Sequence, residues 1–153
     1  MSIYAALFSP VCGLARADDM DNVMRIVHTP EELERFYAKD FASAFRIPAA
    51  ALTHDEFLRT KSGNCQDFAN LSQDVLGRLG IKSEVVYMKF HGLKIGHAVC
   101  MWKEGNYYSF FDNRKLIRTN ETSIEGVLRT YYPDLECCTG CERGFDVDDN
   151  TCM

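Results

Sequence analysis

The chain has 153 residues, of which 46% are hydrophobic and 25% charged, and this suits one globular domain with a single core. Its formal net charge is -5, and its 17 lysines and arginines are scattered along the chain, which argues against nucleic-acid binding. No apolar run reaches the roughly 18 residues that span a bilayer, so no membrane span is expected.

Residues 1–17 have the pattern of a secretory signal peptide. Residues 3–14 are mostly apolar, and Ala15-Arg16-Ala17 offers a cleavage site of the A-x-A kind just before two aspartates. The positively charged opening segment is missing, and the alternative is an apolar segment that packs on the domain. We expect cleavage and export, periplasmic or secreted, with a cytoplasmic location as the alternative.

Two capping patterns predict the first helices. Residues 29–32, Thr-Pro-Glu-Glu, combine an N-cap threonine, a proline at the first helical position and a glutamate three residues after the cap. Apolar residues then recur at helical spacing, so a helix is predicted over 30–45, ended by Pro48. Residues 53–56 repeat the capping pattern and predict a short helix.

A third helix is predicted to begin at Cys65, after a polar loop that contains a glycine and ends in a cap residue, Asn64. Gly80 lies where the glycine after a helix end belongs. The apolar residues of this helix form one face: Phe68, Leu71, Val75, Leu76 and Leu79. Such a face predicts the central, buried helix of the domain.

Beyond this helix the hydrophobic pattern changes to the period of two that is typical of strands. The predicted strands cover residues 84–88, 97–103 and 106–112. A loop at 91–96 separates the first two, and a tight turn at Glu104-Gly105 joins the last two. A final helix is predicted over 122–132.

Cys65 is placed where a helix start can activate it. The first N–H groups of a helix are unpaired and carry a partial positive charge, which stabilises a thiolate. The same N–H groups can hold the oxyanion of a tetrahedral intermediate. Cys65 is therefore the candidate nucleophile.

The predicted hairpin supplies a base and a carboxylate. If Glu104 and Gly105 form a two-residue loop, His97 lies directly across from Asp112 on the same face of the sheet. Cross-strand partners have Cβ atoms about 4.5–5.5 Å apart, within reach of a hydrogen bond between imidazole and carboxylate. Asp112 would then orient His97 as the third member of a triad does. Because a slip by one residue would separate the two side chains, this prediction depends on the register.

Several segments together resemble the transglutaminase-like family. These are GNCQDFANL at 63–71, LGRLGI at 76–81, Val85-Val86, GHAVC at 96–100 and YSFFDN at 108–113. The resemblance covers roughly residues 30–118. It implies an α+β, papain-like fold in which a nucleophile helix packs on an antiparallel β-sheet. It also implies that Cys65, His97 and Asp112 form the catalytic triad.

The chain departs from the family pattern beside the cysteine. Acidic residues are common there in bacterial members, whereas this chain has Asn64 and Gln66. No tryptophan precedes Cys65, and the single tryptophan is Trp102 on the predicted histidine strand. The role that an upstream tryptophan has near the oxyanion site is therefore vacant, which argues against protein cross-linking more than against thiol chemistry.

The expected activity is thiol-dependent acyl transfer or hydrolysis of an amide bond in a protein or peptide, through a thioacyl-enzyme. Hydrolysis, as in a peptidase or deamidase, is expected before amine capture, since the small chain indicates no domain for a second substrate. No metal or cofactor is required. One alternative is a catalytically silent binding domain that keeps the fold. Another is a disulfide exchanger that uses the C-terminal cysteines, although the thioredoxin-like context is missing.

The remaining polar and cysteine residues have simpler interpretations. Cys100 alternates onto the face opposite His97 and is assigned to the core. Asp67 is assigned to the first turn of its helix and Asn113 to a turn after a strand, and His28, His54 and His91 to surface or capping positions.

Four cysteines crowd the C-terminal end, and they predict two disulfides, with a zinc site as the alternative. They are Cys137, Cys138, Cys141 and Cys152. Since neighbouring cysteines do not readily bond each other, 137 and 138 should pair with 141 and 152 in some order. The predicted organisation is a signal peptide at 1–17, a domain at 18–133 and a cysteine-rich tail at 134–153.

Overall fold

The computed structural model of the chain describes residues 19–45 and 50–139. The predicted signal peptide, together with Cys141 and Cys152, lies outside the described residues. The helices are α1 Met20–Ile26, α2 Pro30–Asp40, α3 His54–Thr60, α4 Cys65–Arg78 and α5 Ile124–Tyr131. The strands are β1 Ala42–Ser43, β2 Ser62–Gly63, β3 Ser83–Phe90, β4 His97–Glu104, β5 Tyr107–Asp112, β6 Lys115–Arg118 and β7 Leu135–Cys138.

Five strands form one sheet in the order β6-β5-β4-β3-β7, and every pair of neighbours in it is antiparallel. The short strands β1 and β2 pair in parallel as a separate two-stranded sheet. Helix α4 packs against the centre of the large sheet, on β4, β3 and β5. The predicted α+β architecture with a helix on an antiparallel sheet is therefore confirmed.

Helices α2 and α3 begin where the capping signals predicted. The side chains of Thr29 and Thr53 accept hydrogen bonds from backbone N–H groups in the first turns of α2 and α3. Thr53 and Glu56 form a reciprocal capping box, and Ser123 caps α5. Since each such cap stabilises a helix by about 1 kcal/mol, local sequence alone fixes these starting points.

Aromatic rings hold α4 in the core. Phe68 of α4 meets Tyr37 and Phe57 edge to face, with ring centroids 5.2 Å and 4.8 Å apart. The buried hydroxyl of Tyr37 hydrogen-bonds to the hydroxyl of Ser72 in α4 at 3.0 Å. This bond satisfies the polar group of a tyrosine that lies in the core. These contacts fix the helix start, and with it Cys65, relative to the sheet.

The sheet separates two hydrophobic clusters. Side chains of α1 to α4 pack with Ala98, Cys100 and Trp102 of β4. Side chains of α5 pack with Val99 and Met101, the alternate residues of the same strand. A strand buried on both faces is the reason why β4 reads as a nearly continuous apolar run.

The helix predicted over 30–45 is shorter than expected. Helix α2 ends at Asp40, because Phe41 takes an extended conformation and the chain then enters β1. The N–H groups of Ala42 and Ala44 donate to the carbonyls of Lys61 and Gly63 at 2.8 Å and 2.7 Å, and this pairing replaces further helical bonds. Phe45, predicted as part of the apolar helix face, is 67% exposed.

The register of the predicted hairpin was wrong by two residues. Glu104 pairs with Tyr107, so the two turn residues are Gly105 and Asn106. A tight hairpin turn with positive φ at its first central residue favours glycine there, and Gly105 has φ 62°. A shift by an even number of residues keeps each side chain on its face. His97 and Asp112 therefore remain on one face, as diagonal neighbours instead of direct partners.

Part of the predicted tail belongs to the sheet. Leu135–Cys138 forms the edge strand β7, which pairs with β3 and places Cys138 beside Met88. Strand β6 and helix α1 were likewise not predicted. None of the helices in the described parts of the chain is long and apolar enough to cross a membrane.

Candidate active site

Cys65 occupies the first position of α4, and the residues around it hold that helix start in place. Asn64 is the N-cap, and its Oδ1 accepts hydrogen bonds from the N–H groups of Gln66 and Asp67 at 3.0 Å and 3.1 Å. Asp67 completes a capping box by accepting from the N–H of Asn64 at 2.7 Å. The loop before the nucleophile is thus tied to the first turn after it.

Asp67 also joins this helix start to a second segment of the chain. It is buried, with 2% of its surface exposed, and its Oδ1 accepts from the N–H of Leu52 at 2.6 Å. Gly63 lies directly against the same carboxylate, since a Cβ at this position would come within 2.6 Å of Asp67 Oδ2. A buried carboxylate that binds two backbone N–H groups makes the position of Cys65 rigid.

His97 opens β4, and Asp112 closes β5. His97 Nε2 lies 2.8 Å from Asp112 Oδ1, and the two side chains are 20% and 30% exposed. Because Nε2 bonds to the carboxylate, Nδ1 is the imidazole nitrogen left for Cys65. The side chain of His97 and the backbone of Ala98 and Gln66 stabilise the thiolate form of Cys65.

The electrostatics of these groups favour a thiolate beside an imidazolium. Burial alone would raise the pKa of Cys65, but the hydrogen bond and charge of His97 lower it below its ordinary value. Burial alone would lower the pKa of His97, but hydrogen bonds with Asp112 and Cys65 outweigh it and raise that pKa to about 9. Burial would also raise the pKa of Asp112, and hydrogen bonds with His97 and Tyr132 hold it below its usual range.

Tyr132 is the neighbour that the sequence pattern did not reveal. It follows the end of α5, and its hydroxyl donates to Asp112 Oδ2 at 3.0 Å. Its ring centroid lies 6.0 Å from that of His97. Both oxygens of the Asp112 carboxylate are therefore held, one by the imidazole and the other by the phenol. The only signal in the sequence was its position just before Pro133, which by itself indicates a helix end.

Cys65 and His97 line an open cleft of about 480 Å³. One wall comes from the loop before β4, and another from β3. The remaining lining residues are Phe45, Asn64, Gln66, Tyr87, Met88, Lys94, Ile95, Gly96 and Ala98. Gly96 keeps this loop against β3, because a Cβ there would approach the carbonyl oxygen of Met88 to 2.6 Å. The thiol is thus open to a substrate, whereas a typical buried cysteine is not.

The other predicted roles are structural. Cys100 lies in the core, and burial raises the pKa of its thiol to about 12. Asn113 has φ 50°, as a turn asparagine can, and its amide also donates to Asp112 Oδ1 at 3.2 Å. His54 begins α3 and lies 3.4 Å from Asp74. Within the described ranges no group of three His, Cys, Asp or Glu side chains is arranged to hold a metal ion, and the disulfides or zinc site of the C-terminal cysteines remain a prediction.

The comparisons with known proteins agree with this architecture. No curated protein matches the chain. The family model described as a transglutaminase-like domain matches residues 15–128, which covers α4 and the strands that carry His97 and Asp112. This match spans well over half of the chain. The protein is therefore a member of the transglutaminase-like family.

Proposed function

We propose that the protein is a cysteine enzyme that cleaves or transfers acyl groups from amide bonds in peptides or proteins. Cys65 is the nucleophile, His97 the acid and base, and Asp112 the orienting carboxylate. The observation that carries the proposal is the 2.8 Å contact between His97 Nε2 and Asp112 Oδ1 beside a thiol at a helix start. This is the order of contacts that a nucleophile, base and orienter require.

The first half-reaction forms a thioester. The Cys65 thiolate attacks the amide carbonyl carbon, a C–S bond forms, and negative charge moves to the carbonyl oxygen. Gln66 and Asp67 donate their N–H groups to Asn64. The N–H of Cys65 itself is accordingly the helix-start donor for this oxyanion. The C–N bond then breaks as His97 gives its Nδ1 proton to the leaving amine.

The second half-reaction releases the acyl group. His97, now neutral, takes a proton from water as the oxygen attacks the thioester carbonyl. The C–S bond breaks, a carboxylic acid leaves, and the thiolate and imidazolium are restored. Asp112 stabilises the imidazolium in both steps and stays ionised, because its pKa is held low.

The charge of the cleft supports water over a lysine amine as the acceptor. Lys94 lines the cleft with His97, and no aspartate or glutamate is among the described lining residues. A protonated lysine side chain would be repelled on its approach, whereas water would not. Hydrolysis is therefore the favoured outcome, and cross-linking by amine capture is the second.

The test is alkylation of the whole protein with iodoacetamide across pH, read by peptide mass spectrometry. Cys65 should react fast well below pH 8.5, the ordinary pKa of a thiol. Cys100 is the internal control and should stay unlabelled, because it is buried. In the His97→Ala variant Cys65 should lose this advantage. A Cys65 that labels no faster than an ordinary thiol would contradict the proposal and favour a silent binding domain.

The rates of hydrolysis and of alkylation should depend differently on pH above pH 9. Alkylation needs only the thiolate, so its rate should stay high above pH 9. Hydrolysis also needs the imidazolium as acid, and the protonated form of His97 is lost as the pH rises through about 9. Peptide hydrolysis, followed by release of new amino groups, should therefore fall above pH 9 while labelling does not.

A further inference from the structure

Exposed apolar side chains are concentrated in the cleft beside Cys65. Phe45, Tyr87 and Ile95 are 67%, 39% and 58% exposed, and all three line it. They are three of the seven large apolar residues that the described part of the chain leaves exposed. Exposed apolar side chains that converge on a groove mark a binding site more often than chance exposure does.

The walls of the cleft differ in chemistry. Phe45 and Ile95 supply exposed apolar surface, and the buried Met88 also lines the cleft. Along another wall Gln66 Nε2 donates to the hydroxyl of Tyr87 at 3.3 Å, and that hydroxyl lies 3.5 Å from Asn70 Oδ1. Amide and hydroxyl groups of this kind can bind a peptide backbone, while the apolar surface takes a side chain.

The charge of the cleft is opposite to that of the chain. The chain carries a net charge of -5, whereas Lys94 leaves the cleft positive, because the charges of the Cys65 thiolate and the His97 imidazolium cancel and no carboxylate is among the described lining residues. Lys94 is exposed, so it is available to a ligand carboxylate. A carboxylate on the substrate would meet Lys94 here and would not be repelled by another carboxylate among the described lining residues.

From these features we infer that the acyl donor is an acidic peptide that places a large apolar side chain next to the scissile amide. The apolar side chain lies against Phe45 and Ile95, and a neighbouring carboxylate pairs with Lys94. This inference rests on the proposed function, since it takes Cys65 as the attacking group. It adds the chemical class of the substrate.

The test uses three acetyl dipeptide chloromethyl ketones, ending in Glu-Leu, Glu-Gly and Lys-Leu. The Cys65 sulfur displaces chloride from the methylene carbon, so a C–S bond forms and a C–Cl bond breaks. The readout is the rate constant for labelling of Cys65, relative to that with iodoacetamide. Glu-Leu should exceed Glu-Gly by roughly tenfold or more. It should exceed Lys-Leu by about twofold to fivefold at low salt, and by less at high salt.

Substitutions in the cleft test whether its residues cause these probe preferences. Ile95→Ser and Phe45→Ser should lower the Leu-to-Gly ratio, and Lys94→Glu should reverse the preference between Glu and Lys. Leu93→Ser is the matched control: Leu93 is 59% exposed in the same loop but does not line the cleft. It should change neither ratio. Equal effects of the Leu93 and Ile95 variants would overturn the assignment.

The outcomes separate the two proposals. Fast iodoacetamide labelling with equal rates for all three ketones would overturn the substrate class and leave the proposed function standing. Slow labelling by every reagent would overturn the proposed function. In that case, the peptide preference of the cleft can still be measured. Saturation-transfer NMR would compare the binding of the corresponding unreactive peptide amides to the Cys65→Ala variant. Preference for the Glu-Leu amide would support the inference, and equal binding of all three would overturn it.

Discussion

The two oxygens of the Asp112 carboxylate have different partners. Oδ1 bonds to the imidazole of His97 at 2.8 Å, and Oδ2 accepts from the hydroxyl of Tyr132 at 3.0 Å. A carboxylate held at one oxygen can rotate about its χ2 angle, which is a broad torsion. Held at both oxygens, it keeps the imidazole in one orientation. Tyr132 is thus a positioning residue that acts on His97 through Asp112.

Replacing Tyr132 by Phe should separate this role from packing. The substitution keeps the ring near His97 and removes the hydroxyl. Hydrolysis should fall by about tenfold in kcat with a much smaller change in KM, because orientation matters most in the transition state. The measurement is steady-state kinetics on a peptide substrate, with iodoacetamide labelling alongside.

Tyr131→Phe is the matched control for this variant. Tyr131 is the preceding residue, is 40% exposed, and packs against Phe110 instead of the triad. It should leave kcat unchanged. If both variants behave alike, or if Tyr132→Phe keeps full kcat, the hydroxyl does not position Asp112.

At the scale of elements, Asp67 stabilises the start of α4 more than any exposed charge of that helix does. Its carboxylate accepts from the N–H groups of both Asn64 and Leu52, and it is buried. An asparagine side chain at this position would offer only one acceptor oxygen. Its NH₂ group would face a backbone N–H that needs an acceptor. One buried N–H would then lose its partner.

Asp67→Asn should therefore lower the free energy of unfolding by about 2 kcal/mol, the cost of leaving a buried polar group unsatisfied. Cys65 should also label more slowly, because the helix start that stabilises its thiolate loosens. Urea unfolding gives the first quantity, and iodoacetamide kinetics the second.

Asp74→Asn is the matched change on the same helix. Asp74 is 41% exposed and pairs with Arg78 and His54 at the surface. Since exposed ion pairs contribute little, this variant should lose less than about 1 kcal/mol. An equal loss in the two variants would show that the buried carboxylate has no special role at the α4 start.

The sequence predicted those features of the elements that depend on neighbouring residues, namely the helix starts and the faces of the strands. The caps at Thr29, Thr53 and Asn64 fixed three helix starts, and alternation on β4 fixed the face of His97. The register of the hairpin was missed because it depends on which residue adopts positive φ. The side chains of His97 and Asp112 still meet, since an even shift preserves the face.

What the sequence could not predict depends on contacts between distant segments. Helix α2 ends early because β1 pairs with β2, some 20 residues further along the chain. Tyr132 lies 20 residues from Asp112, and no periodic pattern links the two. Strand β7 is too short to show the period of two, and its pairing with β3 supplies the reason for its conformation.

At the scale of the whole molecule, β7 ties the C-terminal segment to the active-site cleft. It is the edge strand next to β3, whose Tyr87 and Met88 line the cleft. Thr139, just past the strand, donates its N–H to the carbonyl of Tyr87 at 2.9 Å. Cys137 and Cys138 are buried against this edge. Loss of the strand should therefore affect both stability and the cleft.

Two shortened chains test this, one ending at Thr139 and one at Pro133, compared in reducing buffer so that no disulfide contributes. The shorter chain loses the hydrogen bonds of β7 and the burial of its side chains, worth about 2–3 kcal/mol. Its melting temperature should accordingly be lower by roughly 4–10 °C, measured by circular dichroism. Its labelling of Cys65 should also lose any preference between apolar and glycine probes, because the β3 wall is no longer held. Equal melting temperatures and equal probe selectivity in the two chains would show that the domain is complete at Pro133 and that β7 contributes to neither.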